Sequence, residues 1–122
     1  INTENFPKDI SLKTENNLKE QADRQKLTAM IKGIDSLVQR QKCENPSDWT
    51  FTAIGAKPCG GPASYIAYPK NMEEEILPQI KNFTTSQNTF NKKYKLMSDC
   101  MVVPDPHEIK CENGKAVLSH EN

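Results

Sequence analysis

Thr50-Phe51-Thr52-Ala53-Ile54-Gly55-Ala56-Lys57-Pro58-Cys59-Gly60-Gly61-Pro62-Ala63-Ser64-Tyr65-Ile66-Ala67-Tyr68 is where the chain changes character. Residues 50–54 read as a short strand rich in β-formers. Ser64–Tyr68 alternates enough to be a second strand, which Pro69 ends. Between them lies the densest cluster of backbone-special residues in the protein: Gly55, Pro58, Gly60, Gly61 and Pro62 around Cys59. The adjacent glycines permit positive φ or close backbone approach, and the prolines stiffen the flanks.

Helical periodicity stands on either side. Leu18, Ala22, Leu27, Met30, Ile31, Ile34, Leu37 and Val38 recur at steps of three and four, so a helix is expected from about Thr14 to Lys42, a rod of about 40 Å. Asn17 and Glu20 resemble a capping box, and the thinly apolar first half of the helix is expected to project. Downstream, Asn71 is expected to cap a second helix. Glu73, Glu74 and Glu75 suit its positive end, and Met72, Ile76, Ile80, Phe83, Phe90 and Tyr94 form its buried face. Pro78 should kink that helix or delay its regular start. A strand is expected at Met101–Val103, and two more at His107–Cys111 and Lys115–Leu118 around a type I′ turn at Asn113-Gly114.

The expected architecture is therefore α+β: a long N-terminal helix and a second helix packed with a small, mostly antiparallel sheet. Residues 1–13 read as a flexible arm, 14–118 as a single domain and 119–122 as a frayed tail.

Four cysteines, Cys43, Cys59, Cys100 and Cys111, are separated by 15, 40 and 10 residues. No C-x-x-C pair points to zinc or dithiol chemistry, so two disulfides are expected. Of the three pairings, Cys43–Cys111 with Cys59–Cys100 is preferred. It would tie the end of the first helix to the terminal hairpin and the glycine loop to the strand at Met101. Disulfides in a small domain place it in an oxidising compartment: secreted, periplasmic or cell-surface. Export in turn implies that a leader has been removed.

Sixteen basic and sixteen acidic residues cancel, which argues against an electrostatic binder of nucleic acid. Only Arg24 and Arg40 are arginine, the side chain best suited to bidentate phosphate recognition. No apolar run is long enough for a transmembrane segment.

Ile54–Tyr68, with Asn91, Ser98-Asp99-Cys100, Pro104 or Pro106 and Cys111, resembles an uncharacterised family of small exported bacterial proteins, often with lipoprotein-type leaders. The resemblance covers about residues 43–115. It implies export, two disulfides and, in a precursor, a lipid anchor. It implies no activity.

Candidate chemistry is thin. A Cys59 nucleophile with His107 or His120 requires a free thiol, and an even cysteine count offers none. A metal site from Cys100, His107 and Cys111 has no fourth ligand, so no metal or cofactor is expected. Glu73–Glu75 read as a helix start, and Asp99 as a cap on local backbone amides. Trp49, Phe51, Tyr65 and Tyr68 are needed for the core before any sugar- or peptide-binding platform.

The expected contact site is the loop itself: Gly55, Lys57, Pro58, Gly60, Gly61 and Pro62, with Lys57 exposed at its apex. The expected function is a non-catalytic secreted or envelope protein that binds a macromolecular, protein partner through this rigid loop, as a protease inhibitor does. The alternatives are a small exported hydrolase and a structural envelope component.

Overall fold

A computed structural model describes residues 8–120, with side chains from residue 17 onward. Helix α1 spans Lys8–Gln39, so it begins ahead of the expected Thr14 and ends short of Lys42. Residues 1–7 of the expected arm, and 121–122 of the expected tail, lie outside the described residues. Asn17 and Glu20 are interior to α1 and do not cap it.

Strands β1 (Trp49–Ile54) and β2 (Ser64–Pro69) form an antiparallel ribbon with Trp49 opposite Pro69 and Ile54 opposite Ser64. Helix α2 spans Glu73–Lys93 and is led in by a 3-10 turn at Lys70–Met72. Asn71 lies inside that turn, and the residue ahead of α2 is Met72, with no side-chain cap. The three glutamates of the first turn supply the complement to the helix dipole instead. Pro78 sits within α2, where its missing N–H forfeits a single bond to the Glu74 carbonyl.

Strands β3 (Glu108–Glu112) and β4 (Lys115–Ser119) pair antiparallel across Asn113 (φ 53°) and Gly114 (φ 78°). The class is α+β as expected, with the strands divided between two two-stranded sheets. The expected strand at Met101–Val103 does not form. The Met101 N–H and carbonyl bond to the side chains of Asp99 and Lys57, and Pro104 and Pro106 have no N–H to donate.

The core lies between the second half of α1, the first half of α2 and both ribbons. Ile34 and Ile76 are 1% and 0% exposed, and Val38, Trp49, Ile54, Tyr68, Ile80 and Phe83 close around them. Helices α1 and α2 run antiparallel. Asp23 accepts hydrogen bonds from Lys93 Nζ at 2.9 Å and Tyr94 Oη at 2.5 Å, at the far end of α2. Leu18, before that point, is largely exposed.

The two disulfides are Cys43–Cys111 and Cys59–Cys100. The first joins the chain just after α1 to β3. There the Cys43 N–H also donates to the Gly114 carbonyl at 2.9 Å, and Lys115 Nζ donates to the Gln39 carbonyl at the end of α1. Among the described residues no helix is long and apolar enough to cross a membrane.

Candidate functional site

The loop between β1 and β2 is fastened to one face of α2. Gly55 N–H donates to Thr84 Oγ1 at 2.9 Å, and Ala56 N–H to Gln87 Oε1 at 2.7 Å. Asn91 Nδ2 donates to the Ala56 carbonyl at 2.8 Å. Positions 84, 87 and 91 follow helical spacing, so three polar side chains line up beneath the loop. Asn91 is the buried polar residue of α2, only 7% exposed, and its bond to Ala56 offsets the cost of removing its amide from water. Gly55 has φ +80°, and a Cβ there would lie 2.6 Å from Gln87 Oε1 and 3.0 Å from Ala63 Cβ. Only glycine fits this approach.

Past Ala56 the backbone tightens into a turn. Lys57 N–H donates to the Gly61 carbonyl at 3.0 Å and Gly60 N–H to the Lys57 carbonyl at 2.9 Å, with Gly60 and Gly61 both at positive φ. The turn carries Cys59 out to Cys100, at a Cα–Cα distance of 5.4 Å.

Lys57 does not stand free at the apex. Its side chain is 16% exposed, and Nζ donates to Asp99 Oδ1 and to the Met101 carbonyl, each at 2.7 Å. The disulfide explains the difference. It brings Asp99 within reach of the Lys57 ammonium. Asp99 also accepts from the Met101 N–H at 3.1 Å, the local capping role expected of it. The Lys57 ammonium, then the Met101 N–H, hold the Asp99 carboxyl below its usual range. A Lys57→Glu change, silent at an exposed apex, would set two carboxylates against each other here.

The segment pinned in this way displays apolar side chains outward. Met97, Met101 and Val102 are 93%, 76% and 86% exposed. It arrives there through the end of α2, where Leu96 N–H donates to the Asn91 carbonyl and Lys95 N–H to the Lys92 carbonyl. This is a Schellman turn with Lys95, at φ 51°, in the left-handed position that glycine usually takes. Leu96 and Met97 then border a cleft of about 470 Å³ whose floor includes Leu27, Ile31, Phe83 and Phe90.

Other candidates are dispersed. All four cysteines are bonded, so no thiol is free for nucleophilic chemistry. Glu73 accepts from Tyr68 Oη at 3.1 Å, and Asp105 from Tyr65 Oη. His120 Nε2 lies 3.2 Å from the Pro104 carbonyl. Among the described residues no group of three His, Cys, Asp or Glu side chains is placed to hold a metal. Trp49 and Tyr68 are buried in the core, while Phe51 and Tyr65 meet edge to face at 6.2 Å on the ribbon.

Of the sequence-predicted contact residues, Gly55 is buried, Lys57 is tied down, Pro62 is half-buried, and Pro58, Gly60 and Gly61 are exposed. Thr84 and Gln87 went unnoticed in the sequence, as did the outward-facing Met97, Met101 and Val102. Comparison with known proteins gives no matching family model, no matching curated protein and no matching solved structure.

Proposed function

We propose that this is a non-catalytic, exported protein that binds a protein partner through a fixed ridge. The ridge is formed by the glycine loop 55–62 and the crossing segment 97–102. One observation carries the reading: Met97, Met101 and Val102 face solvent on a segment held by a disulfide and the Lys57–Asp99 pair. Large apolar side chains exposed together on one short segment favour an interaction site, and holding the segment in place beforehand lowers the entropic cost of docking. Two disulfides are typical of extracellular proteins, and the Cys-Gly-Gly-Pro and Ser-Asp-Cys resemblance supports export.

A photo-crosslinking residue at position 101 tests the reading in extracts of the source cells. Discrete adducts that vanish when Met97 and Val102 are both changed to Asp are expected. Unchanged adducts, or none, would reject the ridge as a docking surface. The double variant should retain the melting temperature of the parent, because both side chains are already in water.

A further inference from the structure

The ridge has an unbalanced charge at its α2 end. Each carboxylate near it is already engaged. Asp23 is held by Lys93 and Tyr94, Asp99 by Lys57, and Glu20 lies 4.0 Å from Arg24. Lys95 is exposed just past the end of α2, and its side chain makes no hydrogen bond or ion pair among the described residues. The Arg24 guanidinium, at the rim of the apolar cleft, is steadied over the Phe90 ring, 5.0 Å from its centroid.

Lys95 adds an independent observation. It occupies the left-handed position of the Schellman turn at φ 51°, where a side chain is strained and glycine is not. Its charge is not required to complement the negative end of α2, since Lys92 and Lys93 already stand in the last turn. A cationic side chain on a strained left-handed backbone, two residues from the exposed Met97, makes Lys95 a position to test for contact.

We infer that the partner offers this face an acidic amphipathic segment. Its apolar side chains lie against Met97, Met101 and the cleft floored by Leu27 and Phe83, and its carboxylates face Lys95 and Arg24. Methionine suits the apolar half, because its unbranched, polarizable chain adapts to the shape set against it. The inference rests on the ridge being the docking surface and names what docks.

The test uses two synthetic helical peptides with identical leucine faces, one carrying glutamates on its opposite face and the other lysines. Each is titrated into the whole protein and into its Lys95→Gly and Arg24→Gln variants, with fluorescence anisotropy as the readout. Saturable binding of the acidic peptide alone is expected. It should weaken about threefold to fivefold in each variant and decline with added salt. Lys95→Gly should at the same time raise the melting temperature by a few degrees, because it relieves the left-handed strain. Gain in stability with loss of binding is a pairing that a purely structural lysine would not give. Equal binding of both peptides overturns the acidic assignment and leaves the apolar ridge standing. Binding of neither peptide also overturns it, and the position-101 crosslink then judges the ridge separately. Vesicles of phosphatidylcholine with phosphatidylglycerol form the last arm. If they retain the protein better than the acidic peptide does, the charge serves a lipid surface and the inference fails.

Discussion

At the scale of single residues, the site depends on positions where one atom more would not fit. Gly55 is the clearest. Its missing Cβ leaves room for Gln87, which is itself fixed by the Ala56 N–H, so neither neighbour can yield cheaply. Gly55→Ala is expected to destabilise by about 1–3 kcal/mol in denaturant melts, through positive φ and collision together. A cost below that range would mean that the loop lifts off α2 without difficulty. The carboxylates make a second residue-scale prediction. Asp99 is lowered chiefly by Lys57, and Asp23 chiefly by the Tyr94 hydroxyl and then Lys93. A carboxyl with a depressed folded pKa binds protons less readily than it does in the unfolded chain. Its contribution is therefore fully present above the unfolded pKa of about 3.9 and is lost as pH falls through the folded value. Melting temperature should fall below about pH 4, and a combined Asp23→Asn and Asp99→Asn variant should lose part of that dependence. An identical pH profile in the variant would show that neither pair contributes.

At the scale of elements, α1 and α2 meet along the stripe that the sequence announces. Ile34 is fully enclosed, and Phe83 is buried under the glycine loop. Ile34→Ala should cost about 2–5 kcal/mol and Phe83→Ala about 3–5 kcal/mol, measured by denaturant unfolding. Much of this level was legible beforehand, because steps of three and four, alternation, and Asn113-Gly114 are local signals. The helices and both ribbons follow from them, while the disulfide pairing was a preference among three that the structure bears out. What stayed hidden depends on contacts distant in sequence. Thr84 and Gln87 read as ordinary polar helix residues until the loop is laid across them. Lys57 reads as a free apex until Asp99 arrives through a disulfide made forty-odd residues away. Met101–Val103 has the composition of a strand, yet side chains rather than a neighbouring strand take the Met101 backbone groups, and composition cannot show that.

At the scale of the whole molecule, the two crosslinks differ in their surroundings. Cys59 and Cys100 are both exposed, whereas Cys43 is buried in the core and Cys111 half-buried. Attack by an external thiol depends on access, so limited reduction under native conditions should open Cys59–Cys100 first. Alkylation and peptide mapping at partial reduction would show it, and equal labelling of all four cysteines would contradict the assignment.

The bonds are also nested, with Cys59–Cys100 lying inside the ring closed by Cys43–Cys111. Any single cut of the chain between residues 43 and 111 therefore leaves both pieces covalently joined, while a cut within α1 sets its N-terminal piece loose. Brief protease treatment should give products of undiminished mass on a non-reducing gel for every nick in the ring, falling apart only when reductant is added. If the protein is exported as proposed, a single proteolytic cut at the ridge would leave its two pieces tethered to each other by Cys43–Cys111, and by both crosslinks wherever the cut falls between Cys59 and Cys100.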